Sequence, residues 1–240
     1  MNAESSGSLQ DNDAQVRKLT SDKHGDVLRL IEDLLVCCLR GFTCLGSFTL
    51  ADDNRLGYAH FLLATRGFNA LHCANELLQQ GYYTQALTLV RSAMEDNLTA
   101  LDCEKCKEAL AALLEGTGKL GKGRLTYAEM AKRQGEGFRR AWTHDYGALS
   151  EYAAHARKNS LKTLVDPDTH TLRLGGLYDC ALFIVTCGAL LGAAIGTADV
   201  LAKVLGTNTL PWQQECWPKL KAAADWRERV AHKVRAGEEV

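Results

Sequence analysis

Along most of the chain apolar residues return every three or four positions, and nowhere does a two-residue alternation persist. That period is the mark of helices with one buried face. The stretch "DVLRLIEDLLVCCLR", residues 26–40, predicts an amphipathic helix. Residues 1–24 are polar, offer little to bury, and predict a disordered tail. Residues 41–54 read as a connector in which Asp52 or Asp53 is the candidate N-cap. Residues 55–80 and 83–115 read as two long helices with Gly81 between them. So short a link makes them an antiparallel hairpin.

Beyond the hairpin, "GTGKLGKG" at 116–123 predicts a flexible break. Thr126 and Glu129 then have the spacing of a capping box, which starts a helix running to about residue 140. The stretch "YGALSEYAAHARKNS", residues 146–160, predicts a further helix to about residue 162, and "VDPDTHT" a turn. A long apolar helix over 174–205 ends at Gly206, and Pro218 suits the first turn of a last helix over 218–235. The expected fold is all-α, a multi-helix bundle built on the 55–115 hairpin, with a buried apolar helix in the C-terminal half. Its organisation reads as a tail (1–24), a bundle domain (25–206) and a terminal amphipathic helix (207–240).

Composition changes this picture little. At 240 residues, 46% hydrophobic and 24% charged, the chain is ordinary for a folded protein, and three prolines are few, as helices prefer. A net charge of −1 argues against a protein that coats nucleic acid by overall charge. Nine cysteines are an odd number, two of them adjacent, and most lie inside apolar helical runs. They read as reduced thiols of a cytoplasmic protein rather than a disulfide framework, and the N-terminal residues lack the basic and apolar regions of a signal peptide.

Candidate chemistry sits on a few helices. Cys103 and Cys106 form a lone C-x-x-C with no second pair, and His72 with Glu76 supplies only two ligands, so no metal and no cofactor are expected. The Gly-rich break resembles a phosphate-binding loop but has Gly123 where a hydroxyl must follow the Lys, and a helix rather than a strand precedes it. On the second hairpin helix Leu87, Val90, Met94 and Leu98 form one apolar stripe, with Arg91, Glu95 and Asp102 along its flank. An Arg at such an edge needs a partner, and Glu95 one turn on is the natural one. The pair is either a structural ion pair or the centre of a polar cleft binding a partner or small ligand. A second polar stripe runs along the first hairpin helix through Thr65, Asn69, His72, Glu76 and Gln79. Farther on, Leu149, Tyr152, Ala153 and Ala156 make a core face, with Tyr146 and Ser150 on one flank and His155 about 140° away from Ser150. That separation argues against a Ser–His nucleophile pair, which needs contact. Arg91, Glu95, Tyr146, Ser150 and His155 are therefore the candidate ligand-binding residues.

"RSAMED" (91–96) followed by "YGALSEYAAH" (146–155) resembles a bacterial family of helical proteins of unknown function, with an R-S-x-x-E helix and a later Y-x-x-L-S helix followed by His. The matching residues are Arg91, Ser92, Glu95, Tyr146, Leu149, Ser150 and His155. The resemblance implies a helical fold and no activity. A wider resemblance is to HEPN-type helical proteins, some of which are metal-independent RNases using R-x(4–6)-H. Three such spacings occur, Arg55/His60, Arg66/His72 and Arg139/His144. The last closes a basic segment, 119–140, in which Lys119, Lys122, Arg124, Lys132, Arg133, Arg139 and Arg140 face only Glu129 and Glu136. This resemblance implies an RNase with Arg139 and His144 as catalytic pair and RNA as partner. Finally, residues 180–198 carry no charge, nearly enough to span a bilayer, and Gly188, Gly192 and Gly196 repeat at the spacing of closely packed helices. A central helix sheathed by the others, a homodimer seam and a membrane anchor are the three readings, the soluble ones preferred because Ala, Gly and Thr dilute the run. The last helix pairs a core face (Leu220, Ala223, Ala224, Val230, Val234) with a basic one.

Overall fold

The computed structural model describes residues 9–45, 54–116, 125–153, 175–206 and 210–238. They form eight helices and, among the described residues, no strand: α1 (Leu9–Leu45), α2 (Arg55–Gln79), α3 (Tyr83–Lys105), α4 (Lys107–Glu115), α5 (Tyr127–Arg133), α6 (Glu136–Ala153), α7 (Cys180–Leu205) and α8 (Leu210–Ala236). The all-α bundle expected from periodicity is what the chain forms.

The hairpin is α2 and α3. Gln80 closes α2 and Gly81 turns the chain at φ +80°. The segment leading into α7 lies directly on this turn. A Cβ on Gly81 would sit 2.6 Å from the Leu177 carbonyl, and one on Gly176 would collide with the Gln80 carbonyl. Only glycine allows backbone to approach backbone so closely. α7 then runs through the middle of the bundle, capped by the Asp179 side chain, which accepts from the Leu182 amide at 2.9 Å. It packs on α1, α2, α3 and α8 and buries Phe183, Cys187, Leu190, Leu191, Ala194 and Leu201. Among the described residues it is the one helix long and apolar enough to cross a membrane, and four helices of the same bundle lie against it.

Several boundaries differ from expectation. The helix expected over 26–40 begins at Leu9, so residues 9–24 are no tail. Val16 and Thr20 are buried, Arg17 bonds Glu76 at 2.9 Å and Gln79 at 3.3 Å, and the Asn12 amide donates to the Gly176 carbonyl at 2.9 Å. The lower end of the polar stripe on α2 is thus the docking face for the start of α1. Asn54, not Asp52 or Asp53, caps α2, accepting from the Gly57 amide. Cys106, in extended conformation, splits 83–115 into α3 and α4. Gly135 at φ +108° divides α5 from α6, so Tyr146 lies mid-helix instead of opening one. Thr126 does cap α5, accepting from the Glu129 amide. Pro218 falls inside α8, and the proline of its first turn is Pro211. Of the expected core face of α8, Ala223 is buried while Val234 is exposed. All nine cysteines are free; five are buried, and burial pushes the Cys38 and Cys103 thiols up to about 12.

Candidate functional site

α3 presents three acidic side chains to three different helices, each met by an arginine. Asp96 is fully buried and takes Arg66 of α2, whose Nε lies 2.8 Å from Oδ2. Burial raises the Asp96 carboxyl above its ordinary range, and Arg66 works against that. Asp102, also fully buried, is gripped by Arg133 of α5 at 2.6 and 2.7 Å. Periodicity places Asp102 on the flank beside Arg91, but its partner, Arg133, comes from another helix. An unpaired carboxylate in such a place is very costly, so these arginines fix how α2 and α5 sit on α3.

The third acid is Glu95. Arg91 Nε lies 3.0 Å from Glu95 Oε1 and 3.0 Å from the Tyr146 hydroxyl, and Tyr146 donates to Glu95 Oε1 at 2.6 Å. The Arg91 guanidinium carbon is 4.6 Å from the Tyr146 ring centre, a cation–π contact, and Tyr127 also bonds Glu95. Burial and the Glu95 hydrogen bond push the Tyr146 hydroxyl up to about 12, against Arg91. Burial disfavours the Arg91 charge, but Tyr146 and Glu95 outweigh it and raise the group further. The Arg91 side chain is 24% exposed and Glu95 20%. The structure therefore brings together Arg91, Glu95 and Tyr146 as a closed cluster, with every partner supplied from within the fold. Ser150 follows one turn beyond Tyr146 on the same helix and is half-buried. His155 lies outside the described residues.

Tyr146 stacks at 4.8 Å on Trp142, which continues onto Phe138 at 6.5 Å. Trp142 and Phe138 form one wall of a cleft of about 410 Å³ beside the cluster. α3 supplies Met94, Asn97, Leu98 and Leu101; α7 supplies Ala189, Ile195, the small residues between and the carboxylate of Asp199; Arg227 of α8 closes one end, bound to Asp145 at 3.1 Å. Two of the three repeated glycines, Gly192 and Gly196, have their explanation here. A Cβ on Gly192 would meet the Arg227 guanidinium at 2.8 Å, and one on Gly196 would meet the Asn97 amide at 2.7 Å. The room is taken by polar side chains rather than by a closely packed helix backbone. Asn97 donates to the Ala193 carbonyl at 2.9 Å and accepts from Thr197 at 3.1 Å, tying α3 to α7. The sequence does not single out Asn97, Asp145 or Arg227; the glycine repeat is the one signal, because Gly196 faces Asn97 and Gly192 faces Arg227.

Arg139 and His144 are placed differently. Five positions apart, they point about 140° away from each other around α6. Arg139 is held bidentately by Glu136 at 2.7 and 2.8 Å, and His144, 87% exposed, lies 3.1 Å from Asp145. Of the basic segment, Arg133 is turned inward to Asp102, and residues 117–124 lie outside the described residues. Among the described residues no cluster of three metal-ligating side chains occurs. Comparisons with family models, with curated proteins and with solved structures found no match.

Proposed function

We propose that the chain is a binding protein rather than a catalyst, and that it takes a small, largely apolar ligand in the cleft between α3, α6, α7 and α8. The observation that carries this reading is the cleft itself: about 410 Å³, lined by aromatic and aliphatic side chains, with a few polar groups at its edge. Size and lining are those of small-molecule sites. The sequence-based reading centred the site on Arg91 and Glu95; the closed cluster supports a different role for them. Arg91, Glu95 and Tyr146 brace α6 against α3 and so hold the Trp142 wall in place. Asn97 and the Asp145–Arg227 pair are the groups that orient a ligand's polar end.

The test is direct. Nile red, a neutral apolar dye, brightens and binds once per chain. Ala189→Phe, which fills the cleft from α7, abolishes that signal while the far-ultraviolet helical spectrum is kept. Undiminished dye binding by the filled variant overturns the reading.

A further inference from the structure

Away from this cleft, α1 is broken once. His24 has non-helical torsions (φ −132°, ψ 24°), next to Gly25. The bend opens a second cleft, about 690 Å³, between α1 and the C-terminal half of α8. Its cations come from both helices: Lys23 and Arg29 on α1, Arg229 and Lys233 on α8. Its carboxylates are Asp22 and Asp26. Both are engaged, Asp22 by Lys18 at 2.6 Å from outside the cleft and Asp26 by Arg29. Arg229 and Lys233 stand one turn apart on one helix, where like charges repel. Lys23 lies 4.7 Å over the Tyr178 ring. The floor is apolar, made by Val27, Ile184, Trp226 and Val230. His24 is set against the rim, stacked at 4.4 Å on Phe183 with Nε2 2.8 Å from the Tyr178 hydroxyl.

A cleft that carries cations on two facing helices and an indole in its lining has the complementarity of a ligand with a multiply charged anionic head and a flat or apolar body. We propose that this cleft binds a small phosphate-bearing molecule with an aromatic or apolar body, its phosphate between Lys23 and Arg229 and its body on Trp226. The site is separate from the cleft proposed above, and neither proposal depends on the other.

The experiment is calorimetric titration of the full chain with phenyl phosphate, with inorganic phosphate and with phenol. Phenyl phosphate is expected to bind once per chain, more tightly than either fragment, and to weaken as salt rises. Arg229→Glu and Lys23→Glu each weaken it by about tenfold or more. Lys107→Glu on α4, the same change of net charge elsewhere, leaves it unchanged, as does Ala189→Phe. Arg229→Gln, a milder change at an exposed site, weakens it in the same direction if the glutamate variant folds poorly. Absent binding, equal weakening by Lys107→Glu, or phenol binding as tightly as phenyl phosphate each overturns the proposal. So does uptake onto vesicles containing phosphatidic acid, but not phosphatidylcholine, by a protein that ignores phenyl phosphate; that result makes the patch a membrane contact.

Discussion

Tyr146 is the residue whose hydroxyl does most in the α3–α6 contact. It donates to Glu95, accepts from Arg91, and carries the ring on which Trp142 stacks. Hydrogen bonds to charged groups are each worth about 1.5–3 kcal/mol net, so Tyr146→Phe is expected to lower unfolding stability by roughly 2 kcal/mol in urea titrations at neutral pH. The pH dependence has a definite sign. The hydroxyl stands at about 12 in the fold against an ordinary value of 10.0. Below the ordinary value both states keep the proton and the contribution is whole. Between about pH 10 and 12 the unfolded chain releases it while the fold retains it, so stability falls as pH rises. Tyr83 and Tyr127 are raised by burial in the same sense. Urea midpoints between about pH 9 and 11.5 should therefore decline less steeply for Tyr146→Phe than for the parent. Equal slopes would mean that Tyr146 ionises as it does in water. At this scale the sequence was half legible. Periodicity put Arg91 at a buried edge and named Glu95 as its partner, because both lie on one helix, four residues apart. It could not name Tyr146 as the second partner, since the distance between two helices is not written in either one's period.

Elements show where reading by pattern succeeds and where tertiary contact decides. The hairpin was legible because two long periodic segments and one glycine leave a single arrangement. The central helix was legible because its apolar residues run all the way round it. Breaks at Cys106, His24 and Gly135 were not, since each is a local change of torsion inside a continuing pattern. Gly81 reads as a helix terminator, which it is, but its partner Gly176 lies far along the chain and carries no local signal. The consequence can be measured. Gly116 also has positive φ, at +66°, but open space around it. Gly116→Ala should cost on the order of 1 kcal/mol, the strain of a left-handed alanine. Gly176→Ala drives a methyl into the Gln80 carbonyl, and the α7 entry must lift off the hairpin turn. Its loss should be at least twice as large in urea titrations, with added hydrogen exchange at the amides of 81–83 and 176–179. Similar losses for the two variants would show that the close approach at Gln80 is not held in solution.

The whole molecule is stitched at one end by a segment whose composition reads as a tail. Residues 9–24 are polar enough to look solvated, and Leu9 and Leu19 are indeed exposed, yet one face of the segment is held against the bundle. Val16 and Thr20 are buried, Arg17 spans to Glu76 and Gln79, and Asp13 accepts from the Tyr82 hydroxyl at 3.1 Å. Asn12 and Asp13 also meet Gly176, at 2.9 and 3.4 Å, so the start of α1, the hairpin turn and the entry to α7 form one junction. Composition alone missed this because a helix that buries one residue per turn against a polar face scores as hydrophilic throughout. If the junction holds, deleting residues 1–23 removes a clamp on the central helix. The truncated chain should then unfold at lower temperature and exchange amide hydrogen faster at 176–182, while the far end around Trp212 and Cys37 keeps its protection. Arg17→Ala with Asn12→Ala in the full chain should reproduce part of the loss, which separates the named contacts from any effect of shortening. A true tail predicts the opposite: no change in melting, and exchange at 176–182 as slow without residues 1–23 as with them.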